Sequence, residues 1–165
     1  MNDAGTPPSN SSEHSELQIL AHAELEEVLA FSRARANKQD PFVEWSAPWR
    51  KESLEHYLKI GWSMARRDAQ TGRLLGYILA QPFLFMRRQT QTVWIEHIEG
   101  ETPAIVSELL DTVVRISREK HMQRVLMEYS AKAGDANDFG RGEVIRLRNG
   151  RMIEDDIVEF PTTKG

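Results

Sequence analysis

The chain contains no cysteine. Disulfide bonds, zinc sites built on thiolates and cysteine nucleophiles are therefore excluded, and nothing in the sequence depends on an oxidising compartment. No uninterrupted apolar run approaches the roughly 18 residues of a membrane-spanning helix, and residues 1–16 have neither the basic start nor the apolar centre of a signal peptide. We therefore expect a cytoplasmic protein that does not enter a membrane.

The sequence also lacks an excess of positive charge. It has 21 Lys and Arg residues against 25 Asp and Glu residues, which gives a formal net charge of -4. This balance argues against broad binding to nucleic acid or to anionic membranes. Histidine spacings typical of metal sites are missing as well, so we expect no metal. The histidines, which no cysteine can join, are His14, His22, His56, His97 and His121.

What is present suffices for one core. Hydrophobic residues make up 40% of the 165 residues, and a chain of this length is too short for two ordinary domains. Residues 1–15 are rich in Ser, Asn, Pro and Gly and have little to bury, so we expect a disordered tail there. We place a single domain at residues 16–160 and a second short tail at residues 161–165.

The clearest structural pattern lies between residues 90 and 130. An extended apolar run at residues 92–98 is followed by a helix from Pro103 to about Lys120 and by a second extended run at residues 124–129. The helix carries its apolar residues at helical spacing, Thr102 is placed to cap it, and a proline at the first helical position costs nothing. This is a βαβ unit, whose two strands should lie parallel.

The flanking segments predict a mixed sheet around this unit. We expect a strand at residues 17–20, helices at 22–36 and 51–60, and an antiparallel hairpin of strands 62–68 and 73–80. Two further strands, residues 143–148 and 151–160, flank Asn149-Gly150, a strong signal for a two-residue hairpin turn. The predicted fold class is α/β (α+β): a mixed, mostly antiparallel sheet flanked by helices, with a central βαβ unit and a C-terminal hairpin.

This order of elements resembles the GNAT fold of CoA-dependent N-acyltransferases over residues 16–160. Three segments look most alike: residues 75–79 as the third strand, 94–98 as the fourth strand, and 149–158 as the last hairpin. The resemblance implies an acetyl-CoA-dependent N-acetyltransferase, with acetyl-CoA held where the fourth and fifth strands splay apart. The positions that match its contacts are Ile98, Gly100, Thr102 and Ala104.

The loop at residues 99–104 departs from the family pattern. Only Gly100 is left of the glycines that turn amides toward a pyrophosphate, no Arg or Lys lies in the loop, and Pro103 supplies no N–H. Glu99 and Glu101 place carboxylates where phosphates would lie, and like charges oppose binding. A second hypothesis therefore stays open: a catalytically inactive GNAT-fold module that acts as a protein-binding or regulatory domain.

By the same resemblance, Glu96 is the candidate base for the acceptor amine. Since alternate residues of a strand face opposite ways, we expect only one of Glu96 and neighbouring His97 to point into the cleft. The alternative is structural: Glu96 forms an ion pair across the sheet with Arg66 or Arg73, and His97 is a core residue.

The family's usual acid, a tyrosine on the helix after the fifth strand, has no counterpart at residues 131–142. Tyr129 is the nearest phenol and Ser130 a weaker candidate, while packing is the alternative role for Tyr129. Trp45 and Trp49 either shape an acceptor pocket or pack their loop down. The acceptor would be a small-molecule amine or a protein, and an exposed edge of the last hairpin would permit a homodimer.

Overall fold

The structure, a computed structural model, describes residues 15–35, 51–85, 90–129 and 141–162. Residues 1–14 of the tail predicted at residues 1–15, the loop with Trp45 and Trp49, and Ser130 lie outside these ranges, whereas Ser15 begins β1. The strands are β1 (Ser15–Ile19), β2 (Met64–Asp68), β3 (Leu74–Phe85), β4 (Thr90–Gly100), β5 (Arg124–Glu128), β6 (Arg151–Glu154) and β7 (Ile157–Pro161). A short 3-10 helix (His22–Glu24) precedes the helices α1 (Leu25–Arg35), α2 (Lys51–Ile60), α3 (Pro103–Glu119) and α4 (Arg141–Leu147).

The strands form a single seven-stranded sheet in the order β1-β2-β3-β4-β5-β7-β6. Only the β4–β5 pair is parallel, and α3 is the crossover that joins its two strands. All other neighbouring strands pair antiparallel. The structure thus confirms the predicted fold class, including the central βαβ unit.

Helix α3 begins and ends where the local chemistry requires. The backbone N–H of Ile105 donates to the Thr102 hydroxyl at 3.3 Å, so Thr102 caps the helix as predicted. At the other end His121 adopts a left-handed conformation (φ 58°), and Met122 N–H donates to the Ser117 carbonyl at 2.8 Å. This is the Schellman pattern, which satisfies the last carbonyls of a helix.

The sheet separates two apolar clusters. On one face, α3 and α4 cover inward residues of the central strands, among them Ile78, Val93 and Ile95. On the other face, α1 and α2 pack against a second cluster that includes Tyr77 and Leu79. Alternate residues of β3 supply both clusters, as expected for a central strand that is covered on both faces. We call these the α3 face and the α1–α2 face.

The prediction of a hairpin turn at Asn149-Gly150 is wrong. Residues 143–147 of the strand predicted at residues 143–148 instead belong to α4, whose Val144 and Ile145 are buried against the α3 face. Asn149 adopts φ 54°, and Gly150 N–H donates to the Ile145 carbonyl at 2.8 Å, so the dipeptide ends a helix. Asn-Gly tolerates the left-handed conformation that both structures need, which is why the signal was ambiguous. The final hairpin instead turns at Asp155-Asp156, between β6 and β7.

Within these ranges no helix is long and apolar enough to cross a membrane.

Candidate active site

The pairing of β4 with β5 ends before β4 does, and we call the unpaired end of β4 beside β5 the gap. The two strands pair only from Thr92 with Arg124 to Ile95 with Met127. Beyond this point β4 continues to Gly100 alongside β3 alone, whereas β5 remains paired with β7. The β5-side edge of residues 96–100 is therefore left without strand partners in the part of the chain that the structure describes. The resemblance predicts that the fourth and fifth strands splay apart at this position.

A β-bulge lies where the gap begins. Leu79 pairs with His97 and the next residue, Ala80, pairs with Ile95, so Glu96 is an extra residue in β4. The bulge shifts the alternation of side chains, because both Ile95 and Ile98 pack on the α3 face. The prediction that Glu96 and His97 face opposite ways is therefore wrong.

Both side chains instead lie on the α1–α2 face. The Glu96 carboxylate contacts Tyr57 of α2, and the His97 ring lies 5.7 Å from the Tyr77 ring between centroids. The signal was present in the sequence: apolar residues at 93, 95 and 98 are spaced by two and then by three, which breaks strict alternation.

Glu96 is exposed and is held by two neutral donors. Its Oε2 atom accepts hydrogen bonds from the Tyr57 hydroxyl at 2.8 Å and from the Trp94 indole N–H at 2.7 Å. Burial and the hydrogen bond to Glu96 together raise the pKa of the Tyr57 phenol, so it stays protonated and acts as a donor. The result is an oriented carboxylate at the mouth of the gap.

The expected ion pair between Glu96 and an arginine of the sheet is wrong. Arg66 pairs with Glu108 of α3 at 3.2 Å, and Arg73 pairs with Glu101 just after β4. Glu96 thus has no cationic partner among the described residues. Its carboxylate is free to attract a cationic ligand.

A second carboxylate of β4, Glu99, has the opposite environment. It is only 1% exposed, and Arg35 Nε lies 2.8 Å from its Oε1 as a close ion pair. Its Oε2 accepts from the Tyr77 hydroxyl at 3.2 Å and lies 3.4 Å from His97 Nε2. Arg35 also donates to the Gly100 carbonyl at 2.8 Å, which ties the end of α1 to the end of β4.

His97 belongs to this buried cluster. Burial lowers the pKa of its imidazole, and the neighbouring Glu99 only partly opposes that effect. The imidazole is therefore neutral near pH 7, and it makes a hydrogen-bonding contact with Glu99. Sequence reasoning placed Glu99 near the phosphates of a cofactor; the structure buries its side chain on the α1–α2 face instead.

The residues predicted to contact acetyl-CoA lie together at the turn from β4 into α3. Ile98 and Gly100 are buried, whereas Thr102 and Ala104 are exposed at the helix start. A Cβ atom on Gly100 would lie 3.0 Å from Ile105 Cγ2, so the turn packs tightly under α3. Glu101 is neutralised by Arg73, which bridges it from the β2–β3 hairpin.

Tyr129 lies where β5 ends. Its ring is partly buried and packs against the α3-face cluster. Its backbone N–H donates to the Asp156 carbonyl at 2.7 Å, so the end of β5 is tied to the turn of the last hairpin. Tyr129 thus follows the strand that borders the gap, and its ring packs on the α3 face, whereas the Glu96 carboxylate contacts Tyr57 on the α1–α2 face.

Exposed carboxylates gather at this end of the sheet. Glu128 ends β5, Glu154 and the turn residues Asp155 and Asp156 belong to the last hairpin, and Glu96 lies on β4. All are exposed, and none forms an ion pair within residues 15–35, 51–85, 90–129 and 141–162. We call these residues the acidic rim. Over the same ranges no group of three or more His, Asp or Glu side chains is arranged to hold a metal ion.

Several solved structures have an architecture similar to that of this chain. The GNATL loading domain of CurA from Lyngbya majuscula is 8% identical, with a TM-score of 0.69 and coverage of 90% of this chain and 98% of that chain. Arabidopsis thaliana NAA60 in complex with a bisubstrate analogue is 13% identical (TM-score 0.66, coverage 89% and 98%). The PaiA N-acetyltransferase of Thermoplasma acidophilum, in complex with coenzyme A, is 14% identical (TM-score 0.66, coverage 89% and 98%).

These likenesses establish that the chain has the GNAT fold, as its sequence resemblance implied. No protein-family model matches the sequence, and no curated protein sequence matches it significantly. At such low identity the fold is shared while the residues of the site are this chain's own. Function must therefore be argued from the gap, the bulge and the carboxylates.

Proposed function

We propose that this protein is an acetyl-CoA-dependent N-acetyltransferase that acts on an amine of a small molecule or a protein. One observation carries the proposal: the gap between β4 and β5 opens beside Glu96, a carboxylate oriented by Tyr57 and Trp94 with no cationic partner among the described residues. The structural neighbours lend support, since one was solved with coenzyme A and another with a bisubstrate analogue.

The residues present fit the cofactor at the gap. Acetyl-CoA supplies an acetyl group activated as a thioester. The β5-side edge of residues 96–100 would offer backbone groups to an extended pantetheine arm, with Ile98 at its centre and Gly100, whose carbonyl accepts from Arg35, at its end. Thr102 and Ala104 stand at the start of α3, where the helix dipole favours negative charge.

The acidic loop does not repel phosphates as strongly as its sequence suggests. Glu99 is turned away from the loop and paired with Arg35, and Glu101 is paired with Arg73. Two unscreened carboxylates close to a pyrophosphate would each oppose binding by about 1 kcal/mol or more. Pairing removes most of that cost, so the loop's composition is compatible with a bound nucleotide.

In this proposal Glu96 and Tyr129 divide the proton transfers. Glu96 takes a proton from the acceptor ammonium, which frees the nitrogen lone pair to attack the acetyl carbonyl carbon. Tyr129 would supply the proton for the sulfur that leaves as the new C–N bond forms and the C–S bond breaks. Glu96 is suited to its role because a carboxylate both attracts a cationic amine and accepts its proton.

One observation favours the alternative, a GNAT-fold module that binds a partner without catalysis. The turn after β4 offers few phosphate donors, because Pro103 has no N–H and the Thr102 hydroxyl is engaged with Ile105. A module of this kind would keep the fold and lose the cofactor. Ligand binding separates the two functions.

Calorimetric titration of acetyl-CoA, with CoA as control, is the first test. Binding with a Kd of about 10 μM, equivalent to about -7 kcal/mol, supports the acetyltransferase. The absence of heat at millimolar acetyl-CoA, from protein shown to be folded, refutes it and favours the binding module.

The second test is turnover. Because the chain has no cysteine, a thiol reagent detects released CoA without a background from the protein. A panel of small primary amines and of peptides with free N-termini would be screened with acetyl-CoA. The Glu96→Gln variant, which keeps the shape and removes the charge, should lose about 100-fold or more in kcat/KM. An unchanged value removes Glu96 from the mechanism.

A further inference from the structure

Tyr57 is a buried tyrosine whose hydroxyl points at the candidate base. Tyr57 is only 8% exposed, because α2 turns Leu54, Tyr57 and Leu58 toward the α1–α2 face of the sheet. The Ser63 hydroxyl donates to the Tyr57 carbonyl at 3.1 Å, which fixes the backbone at the end of the helix. The ring and the main chain therefore have little freedom, and the hydroxyl is held in place.

The hydrogen bonds around Tyr57 run in one direction. Gln81 Nε2 donates to the Tyr57 hydroxyl oxygen at 3.3 Å, and Tyr57 in turn donates to Glu96 Oε2 at 2.8 Å. Gln81 Oε1 lies 3.1 Å from His56 Nε2, which orients the amide so that its nitrogen faces Tyr57. With an amide donor on one side, the phenolic proton is directed to the carboxylate.

Both donors to Glu96 contact the same oxygen. The Trp94 indole N–H, like the Tyr57 hydroxyl, bonds Oε2, and no described group donates to Oε1. Two directional bonds to one oxygen restrict rotation of an exposed side chain that would otherwise sample several rotamers. The orientation of Glu96 thus exists before any acceptor arrives.

We propose that Tyr57 is a positioning residue that fixes the Glu96 carboxylate so that Oε1 receives the acceptor amine. This inference rests on the proposed acetyltransferase function. Tyr57 does not contact the reacting atoms itself; it acts through Glu96. Tyr57 orients the Glu96 carboxylate before the reaction begins. This orientation contributes to the rate of the chemical step and not to the binding of acetyl-CoA.

The test compares two matched substitutions, Tyr57→Phe and Tyr77→Phe. Each removes one buried hydroxyl that donates to a glutamate of β4, but Tyr77 bonds the buried Glu99 rather than Glu96. For Tyr57→Phe, kcat should fall about tenfold, the effect of losing about 1.4 kcal/mol of transition-state stabilisation, with an unchanged KM for acetyl-CoA. For Tyr77→Phe, the melting temperature should fall while kcat changes less than about twofold.

A spectroscopic readout is independent of turnover. The indole N–H resonance of Trp94 in a ¹H–¹⁵N spectrum is assigned by its loss in Trp94→Phe. Because this N–H bonds the same oxygen as Tyr57, the resonance should move in Tyr57→Phe and in Glu96→Gln and stay in place in Tyr77→Phe. If Tyr57→Phe fails to fold, Trp94→Phe removes the other donor and should lower kcat in the same way.

The outcomes separate this proposal from the proposed function. If the wild-type protein transfers acetyl groups, an unchanged kcat in Tyr57→Phe overturns the positioning role, whether or not the resonance moves. If the wild-type protein transfers no acetyl groups, the proposed acetyltransferase function is refuted, and the Trp94 resonance alone tests whether Tyr57 orients Glu96. A shift of that resonance in Tyr57→Phe supports this orientation, and an unshifted resonance overturns it.

Discussion

The buried ion pair between Arg35 and Glu99 makes a quantitative prediction about stability. Glu99 is 1% exposed and Arg35 is 27% exposed, so removing the arginine leaves a buried carboxylate without its counter-charge. Breaking a buried pair in this way costs about 3–5 kcal/mol, and the partial exposure of Arg35 favours the lower end of that range. For a chain of this size each kcal/mol lowers the melting temperature by about 2–4 °C. Arg35→Ala should therefore melt roughly 6–12 °C lower than the wild type.

Scanning calorimetry of three variants tests this reasoning. Arg33→Ala is the matched control, because Arg33 lies on the same helix and is exposed, and it should change the free energy of unfolding by less than about 0.5 kcal/mol. Adding Glu99→Gln to Arg35→Ala should recover part of the loss, since it removes the uncompensated charge. If Arg35→Ala melts at the temperature of Arg33→Ala, Glu99 does not depend on Arg35 and the reasoning is refuted.

Three further predictions follow from the site. Burial lowers the pKa of His97 in the folded state below its ordinary 6.5, so as the pH falls the unfolded chain takes up this proton at a higher pH than the folded protein does. The free energy of unfolding should therefore be greatest above about pH 6.5 and should fall as the pH drops below it. In urea titrations His97→Gln should make that fall less steep. Gly76→Ala should cost about 1–3 kcal/mol in thermal or urea unfolding, because its Cβ would lie 2.7 Å from the Glu99 carbonyl oxygen and from Ile105 Cγ2; wild-type stability would contradict that contact. The acidic rim should make the KM of a cationic acceptor rise with added salt while the KM of acetyl-CoA does not, and a salt-independent acceptor KM would exclude a role for the rim.

The sequence predicts the centre of the fold because its signals there are local. The cap at Thr102, the proline beside it and the helical stripe of α3 lie within a few residues of the elements they define, and the structure keeps all of them. The Asn149-Gly150 dipeptide is equally local, but the conformation it favours serves both a hairpin and a helix end. Only the packing of Ile145 against the α3 face decides between them.

The candidate site is less predictable because its contacts join distant segments. Tyr57 reads as one more apolar position of α2, and nothing near it in the sequence indicates that its hydroxyl meets Glu96. Glu99 reads as an exposed loop residue until Arg35 and Tyr77 are brought to it from other elements. The bulge at Glu96 is the one feature of the site that the sequence indicates, because Ile95 and Ile98 are three residues apart and not two.

The two glutamates on either side of His97 show why environment, rather than residue type, assigns their roles. A buried carboxylate requires a cationic partner, and Arg35 is the partner of Glu99. Because the two charges largely cancel, Glu99 exerts little electrostatic attraction on a ligand. Glu96 is exposed and accepts only from neutral donors, which fix its direction without cancelling its charge. At 4 Å an uncancelled charge attracts an ammonium by about 1 kcal/mol in water and about 4 kcal/mol near a protein surface. β4 therefore carries a buried, structural carboxylate and an exposed, oriented one, and only the second suits the amine that we propose as acceptor.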